Sequence, residues 1–153
     1  MKRSLLLTAM LALAAALIPP ASGAANRSYV DHSVPPGSQP LPFSDAVLAG
    51  DTLYVAGHLG LDPRNGSAPS DAATEARLVM DAVKRTVESA GLRLDDLVSV
   101  TVYCTDLQLY DTFNSVYRGY FHGHYPTRAF VGTDKLLRGA HFEVQGIAVK
   151  AAP

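Results

Sequence analysis

Residues 125–150, YPTRAFVGTDKLLRGAHFEVQGIAVK, restrict the fold more than any other stretch of this chain. Two runs of period-two character, 127–133 and 140–149, flank a polar turn at 134–139. That pattern predicts two β-strands joined as a hairpin with a loop longer than two residues. Most of the side chains are small or apolar, which suits strands buried on at least one face. Arg128 and Glu143 are the exceptions, and an unpaired charge inside an apolar run is expensive. Two readings stand side by side. One is a cross-strand ion pair at a sheet edge. The other is a cation that grips a carboxylate and a carboxylate that handles a water.

Upstream, 43–49 and 52–57 read as strands joined by Gly50-Asp51, a short hairpin turn with its glycine first. Residues 58–70 form a loop punctuated by Asp62-Pro63 and Asn65-Gly66. From Ser70 or Asp71 onward, Ala73, Ala76, Met80, Val83, Val87 and Ala90 recur at alternating steps of three and four. They define one helical stripe, with Gly91 as its stop. Residues 97–104 read as a strand, and 109–121 as a second amphipathic helix carrying Tyr110, Phe113, Tyr117, Tyr120 and Phe121. The order is β-β-α-β-α-β-β. It predicts an α+β domain, a mixed sheet with both helices on one face and right-handed crossovers.

The N-terminus carries a different signal. Lys2 and Arg3 precede an unbroken apolar run at 5–18 and a small-residue tail, the order of a secretory signal peptide. About fourteen apolar residues are too few to span a bilayer comfortably. The expectation is a signal peptide over 1–24, an extended Pro/Ser/Gly-rich arm over 25–41 and one domain over 42–153. The product would then be exported, periplasmic or secreted, with no membrane attachment after cleavage. The signal holds two of the thirteen basic residues and no acid, so the remainder carries 11 − 14 = −3. A mildly acidic domain without basic runs is poorly suited to nucleic acid. Cys104 is the only cysteine and lies in the alternating run LVSVTVYC, as a buried small hydrophobe would. His122, His124 and His141 lack a carboxylate spaced to complete a metal site.

Four segments in order resemble the Rid family, the reactive intermediate deaminases also called YjgF or RidA. They are PFSDAV at 42–47, LYVAGHLGLDPRNG at 53–66, FNSVYRGYF at 113–121, and PTRAF followed by a Leu136–x–x–Gly139 turn and FEVQGIAV. The resemblance spans about residues 40 to 150. It implies a chorismate mutase-like fold, a homotrimer with sites between subunits, and hydrolysis of 2-imino or enamine acids to 2-keto acids and ammonia, without metal or cofactor. By the same resemblance, Arg128 clasps the substrate carboxylate and Glu143 positions or deprotonates the attacking water. Gly57 is where backbone approaches the ligand, and Phe130 contributes main-chain atoms. Asn114 either lines the cleft or is a helix-surface amide. Phe43, at a substrate-binding position, stands where the family has tyrosine, and Ala56 and His58 replace serine and glutamine. The connection from Asn114 to Arg128 is about three residues shorter than is typical. The lost hydroxyls leave an alternative open: a non-catalytic carboxylate-binding or chaperone-like module on the same trimeric scaffold. A nuclease reading finds no acid–base pair suited to phosphodiester cleavage.

Overall fold

The computed structural model describes residues 26–31 and 39–151. The expected signal peptide, 1–24, lies outside the described residues, as do residues 25 and 32–38 of the arm. The elements are β1 (Arg27–Val30), β2 (Ala46–Ala49), β3 (Thr52–Leu59), α1 (Ala72–Ser89), β4 (Leu97–Cys104), α2 (Tyr110–Tyr117), β5 (Thr127–Gly132) and β6 (Phe142–Val149). The strands form one mixed sheet in the order β1-β2-β3-β6-β4-β5. This is the expected α+β fold with one strand more, because Arg27–Val30 of the arm pairs antiparallel with β2. The β2–β3 hairpin turns at Gly50-Asp51 as expected, Gly50 taking the positive φ of 61° that such a turn requires.

Both helices cover one face. Asp71 caps α1 by accepting the Thr74 N–H at 2.8 Å, and Gly91 (φ 79°) follows its C-terminus. Ala76, Val79, Met80, Val83 and Val87 are fully buried in one cluster with Leu53, Val102, Val144 and Ala148 of the sheet. Each larger side chain of this set stabilises the fold by about 1.5–3 kcal/mol. The second helix is shorter than its predicted span, with single 3₁₀ turns at Leu107–Leu109 and Arg118–Tyr120 on either side. Tyr120 fastens it to α1 by donating to Asp81 Oδ1 at 2.7 Å.

The expected hairpin between the last two strands is absent. β5 pairs parallel with β4, while β6 lies between β3 and β4, antiparallel to both. A crossover through α2 returns the chain in the direction of β4, so the next strand emerges parallel to it. The final strand then fills the gap between β3 and β4, whose inner backbone groups would otherwise lack partners. Gly146 permits the fit, since a Cβ there would sit 2.9 Å from the Ser99 carbonyl oxygen.

Register assigns the faces, because directly opposed residues share one. Val100, Val102 and Cys104 of β4, with Phe142, Val144 and Ala148 of β6, point toward the helices and are buried. Ser99, Thr101 and Tyr103, with Glu143, Gln145 and Ile147, point the other way. On that open face Tyr54, Ser99, Thr101, Gln145 and Ile147 line a groove of about 280 Å³.

Candidate active site

Arg128 lies opposite Val100 on β5 and so projects to the helix side. There its Nη2 donates to Asn114 Oδ1 at 2.7 Å. Asn114 is 7% exposed, which decides between its two readings: it is a cleft residue that orients the arginine. The guanidinium also lies over aromatic rings, 4.6 Å from the Tyr117 centroid, 5.7 Å from Phe130 and 5.8 Å from Tyr110. Stacking on rings desolvates one side of a guanidinium and fixes its plane. Phe130 packs edge-on against Phe113 and Tyr110, as part of the wall that holds the fork. Asn114, Tyr117, Arg118, Tyr125, Pro126 and Arg128 line a cleft of about 290 Å³. Among the described residues, two cations and no carboxylate line it, so an anion is the natural occupant.

Glu143 belongs to a second group. It lies opposite Tyr103 and Leu59 on the open face. The register of β3 against β6 shifts between Val55 and His58, and Gly57 falls in that bulge. A Cβ at Gly57 would overlap Glu143 Oε1 and sit 2.9 Å from its Cδ. The glycine therefore makes room for the carboxylate of its own chain, where the sequence pointed to backbone approaching a ligand. Phe43 is half-exposed in the segment ahead of β2.

The sheet thus separates the predicted residues. Arg128, Asn114 and Phe130 converge under α2, whereas Gly57 and Glu143 meet on the opposite face, with β4 between the two charged strands. The expected alternative of a cross-strand ion pair is overturned: β5 and β6 are not neighbours, and among the described residues no ion pair joins Arg128 to Glu143. A small ligand touching both charges needs one of them from a second chain.

Sequence reasoning missed Glu75. It is fully buried in the first turn of α1 and accepts the backbone N–H groups of His141 at 2.6 Å and Phe142 at 2.8 Å. Its other oxygen lies 2.6 Å from His141 Nδ1. These bonds tie the helix start to His141 and to Phe142, the first residue of β6, and so hold the backbone that leads into Glu143. A buried carboxylate so fully bonded is tolerated where an unpaired one would not be. His141 is committed to that contact, and His122 instead faces Asp95 at 3.8 Å. In the sequence Tyr117 is one of several aromatics on the second amphipathic helix, though its i, i+3 spacing from Asn114 sets both on one helix face. Burial pushes its hydroxyl up to about 12, against the opposing influence of Arg128. Cys104 is fully buried, donates to the Asp106 carbonyl at 3.0 Å, and burial pushes its thiol up, the state of a structural cysteine.

The family described as Endoribonuclease L-PSP matches residues 37–150. The 2-iminobutanoate/2-iminopropanoate deaminase of Escherichia coli (strain K12) is 34% identical over 112 residues, 71% of this chain and 88% of that protein. The crystal structure of the YjgF gene product from E. coli superposes with a TM-score of 0.68 at 33% identity, covering 72% of this chain and 89% of that one. E. coli TdcF with bound serine gives a TM-score of 0.70 at 30% identity, covering 80% and 94%. With the sheet order, the cleft arginine and the open-face glutamate already in hand, these likenesses make this chain a member of the YjgF/RidA family.

Proposed function

We propose that this protein is a hydrolytic deaminase of reactive 2-imino and enamine acids. The observation that carries the reading is the Arg128 cleft. Its guanidinium is bonded to a neutral amide, so its charge is oriented but not cancelled, and no carboxylate lines the same cleft. A planar fork held this way matches the two oxygens of a substrate carboxylate. Serine, bound in the E. coli TdcF crystal, carries such a group. The E. coli relative's name supplies the substrate class, short 2-imino acids. Glu143 takes a proton from a water that adds to the imine carbon, forming a carbinolamine. That proton passes to the nitrogen, the proton of the new hydroxyl follows it as the C–N bond breaks and the C=O bond forms, and ammonia and the 2-keto acid leave. The direct test is ammonia release from 2-iminopropanoate generated in situ. No release above the uncatalysed rate, with pyruvate still bound, favours the binding-module alternative.

The working unit in this reading is a homotrimer with sites between subunits. Its support is the split just described, since Arg128 and Glu143 occupy opposite faces of one sheet. The half-exposed Tyr54 and Tyr29 also leave apolar surface to be covered. Light scattering on the purified mature protein is expected to give about three times the monomer mass, and a concentration-independent monomer counts against the shared site.

Export rests on the order of basic, apolar and small residues over 1–25. Mass spectrometry of protein recovered from an exporting host is expected to find Ala24, Ala25 or Asn26 at the N-terminus. An intact Met1 in the mature pool overturns it.

A further inference from the structure

Tyr117 is 4% exposed, and its hydroxyl has no hydrogen-bond partner among the described residues. The ring has ample reason to be there. It packs against Phe113 and Phe121, with centroids 5.7 and 4.8 Å away, and beneath the Arg128 guanidinium at 4.6 Å. Phenylalanine would make every one of those contacts. The oxygen adds only a buried polar group without a partner among the described residues, which by itself destabilises the fold. Such a group inside a ligand cleft marks a contact that forms when the cleft is filled.

We infer that the Tyr117 hydroxyl is a second hydrogen-bond donor to the carboxylate held by Arg128, an inference that rests on the carboxylate-binding reading of this cleft. Tyr117 and Arg128 line the same wall, and the guanidinium and Tyr125 both lie close enough to act electrostatically on the hydroxyl. Burial keeps the phenol protonated through neutral pH, so it is available as a donor. Two carboxylate oxygens offer about four acceptor positions, and an arginine fork fills two of them. Two are left, and a hydroxyl can take one of them. The approach runs past Tyr125, which is 55% exposed and stacked on Tyr117 at 6.3 Å, so that its ring can shift without opening the core.

The experiment measures pyruvate affinity by calorimetry and ligand-free melting temperature for the wild type, Tyr117→Phe and Arg128→Lys. Tyr117→Phe is expected to bind pyruvate about tenfold more weakly, as loss of a hydrogen bond to a charged group does. Its ligand-free melting temperature is expected to stay level or rise, because an unpaired buried hydroxyl has gone. Unchanged affinity overturns the inference. So does weaker affinity accompanied by a lower ligand-free melting temperature, since the hydroxyl would then serve the fold through a buried water or a neighbouring subunit. Failure of the underlying reading looks different. In that case the wild type does not bind pyruvate, or Arg128→Lys binds it as well as the wild type. Loss of binding in Arg128→Lys together with wild-type binding in Tyr117→Phe removes the inference alone.

Discussion

Arg128→Lys is expected to bind pyruvate almost as poorly as Arg128→Ala, each at least about a hundredfold weaker than the wild type. Alanine loses both charge-assisted hydrogen bonds, lysine loses the paired, co-planar geometry of the fork, and each bond contributes about 1.5–3 kcal/mol. A lysine keeps the charge but is a point donor that cannot span both carboxylate oxygens. The two variants should part company in stability. Alanine strands the buried Asn114 Oδ1, now bonded at 2.7 Å, and empties the space over the Tyr117 ring. It should lower the melting temperature by the equivalent of about 1–3 kcal/mol. Lysine can still reach Asn114 and should melt close to the wild type. Calorimetric titration with pyruvate and thermal melts on the three proteins check both halves. A lysine variant that binds normally would mean that the arginine is a structural cation and the cleft has another purpose.

Glu143→Gln is expected to bind pyruvate normally and to lose turnover by about a hundredfold or more, the usual contribution of a positioned general base. Gly57→Ala should approach the same result by a different route. The added Cβ overlaps Glu143 Oε1, and the clash is with the end of a flexible side chain, so the carboxylate moves while the backbone stays. A displacement of about 1 Å at the reacting group is enough for a loss on the order of a hundredfold. Ammonia release on 2-iminopropanoate, with pyruvate affinity as the control, separates misplacement from misfolding. Turnover in Glu143→Gln at the wild-type rate would exclude the glutamate from the chemistry.

The proposed assembly rests on the same geometry, since Arg128 and Glu143 lie on opposite faces of one sheet. Mixing Arg128→Ala with Glu143→Gln protomers would test the proposed shared site directly, by return of part of the activity in mixed oligomers.

How far the sequence reaches can be judged element by element. Residues 97–104 and the stripe from Ala76 to Val87 were legible because period two and period 3.6 are local properties of the chain. The arginine and glutamate were legible as anomalies, charges set in apolar runs. Alternation states which residues share a face, but it does not name the neighbouring strand. For that reason two strands close in the sequence were read as a hairpin, although the α2 crossover had already committed β5 to run parallel with β4. The arm's pairing as β1 escaped for a related reason, since a four-residue edge strand has too little pattern to stand out. Glu75 is the plainest case. In the sequence it is one more acid in the first turn of a helix, and only the fold buries it against the start of β6. Local periodicity determined the elements and singled out two charges set in apolar runs. The separation of those charges by a sheet, the seating of Gly57 beneath Glu143 and the packing of the Tyr117 ring under Arg128 depend on residues far apart in the chain, and tertiary packing alone decided them.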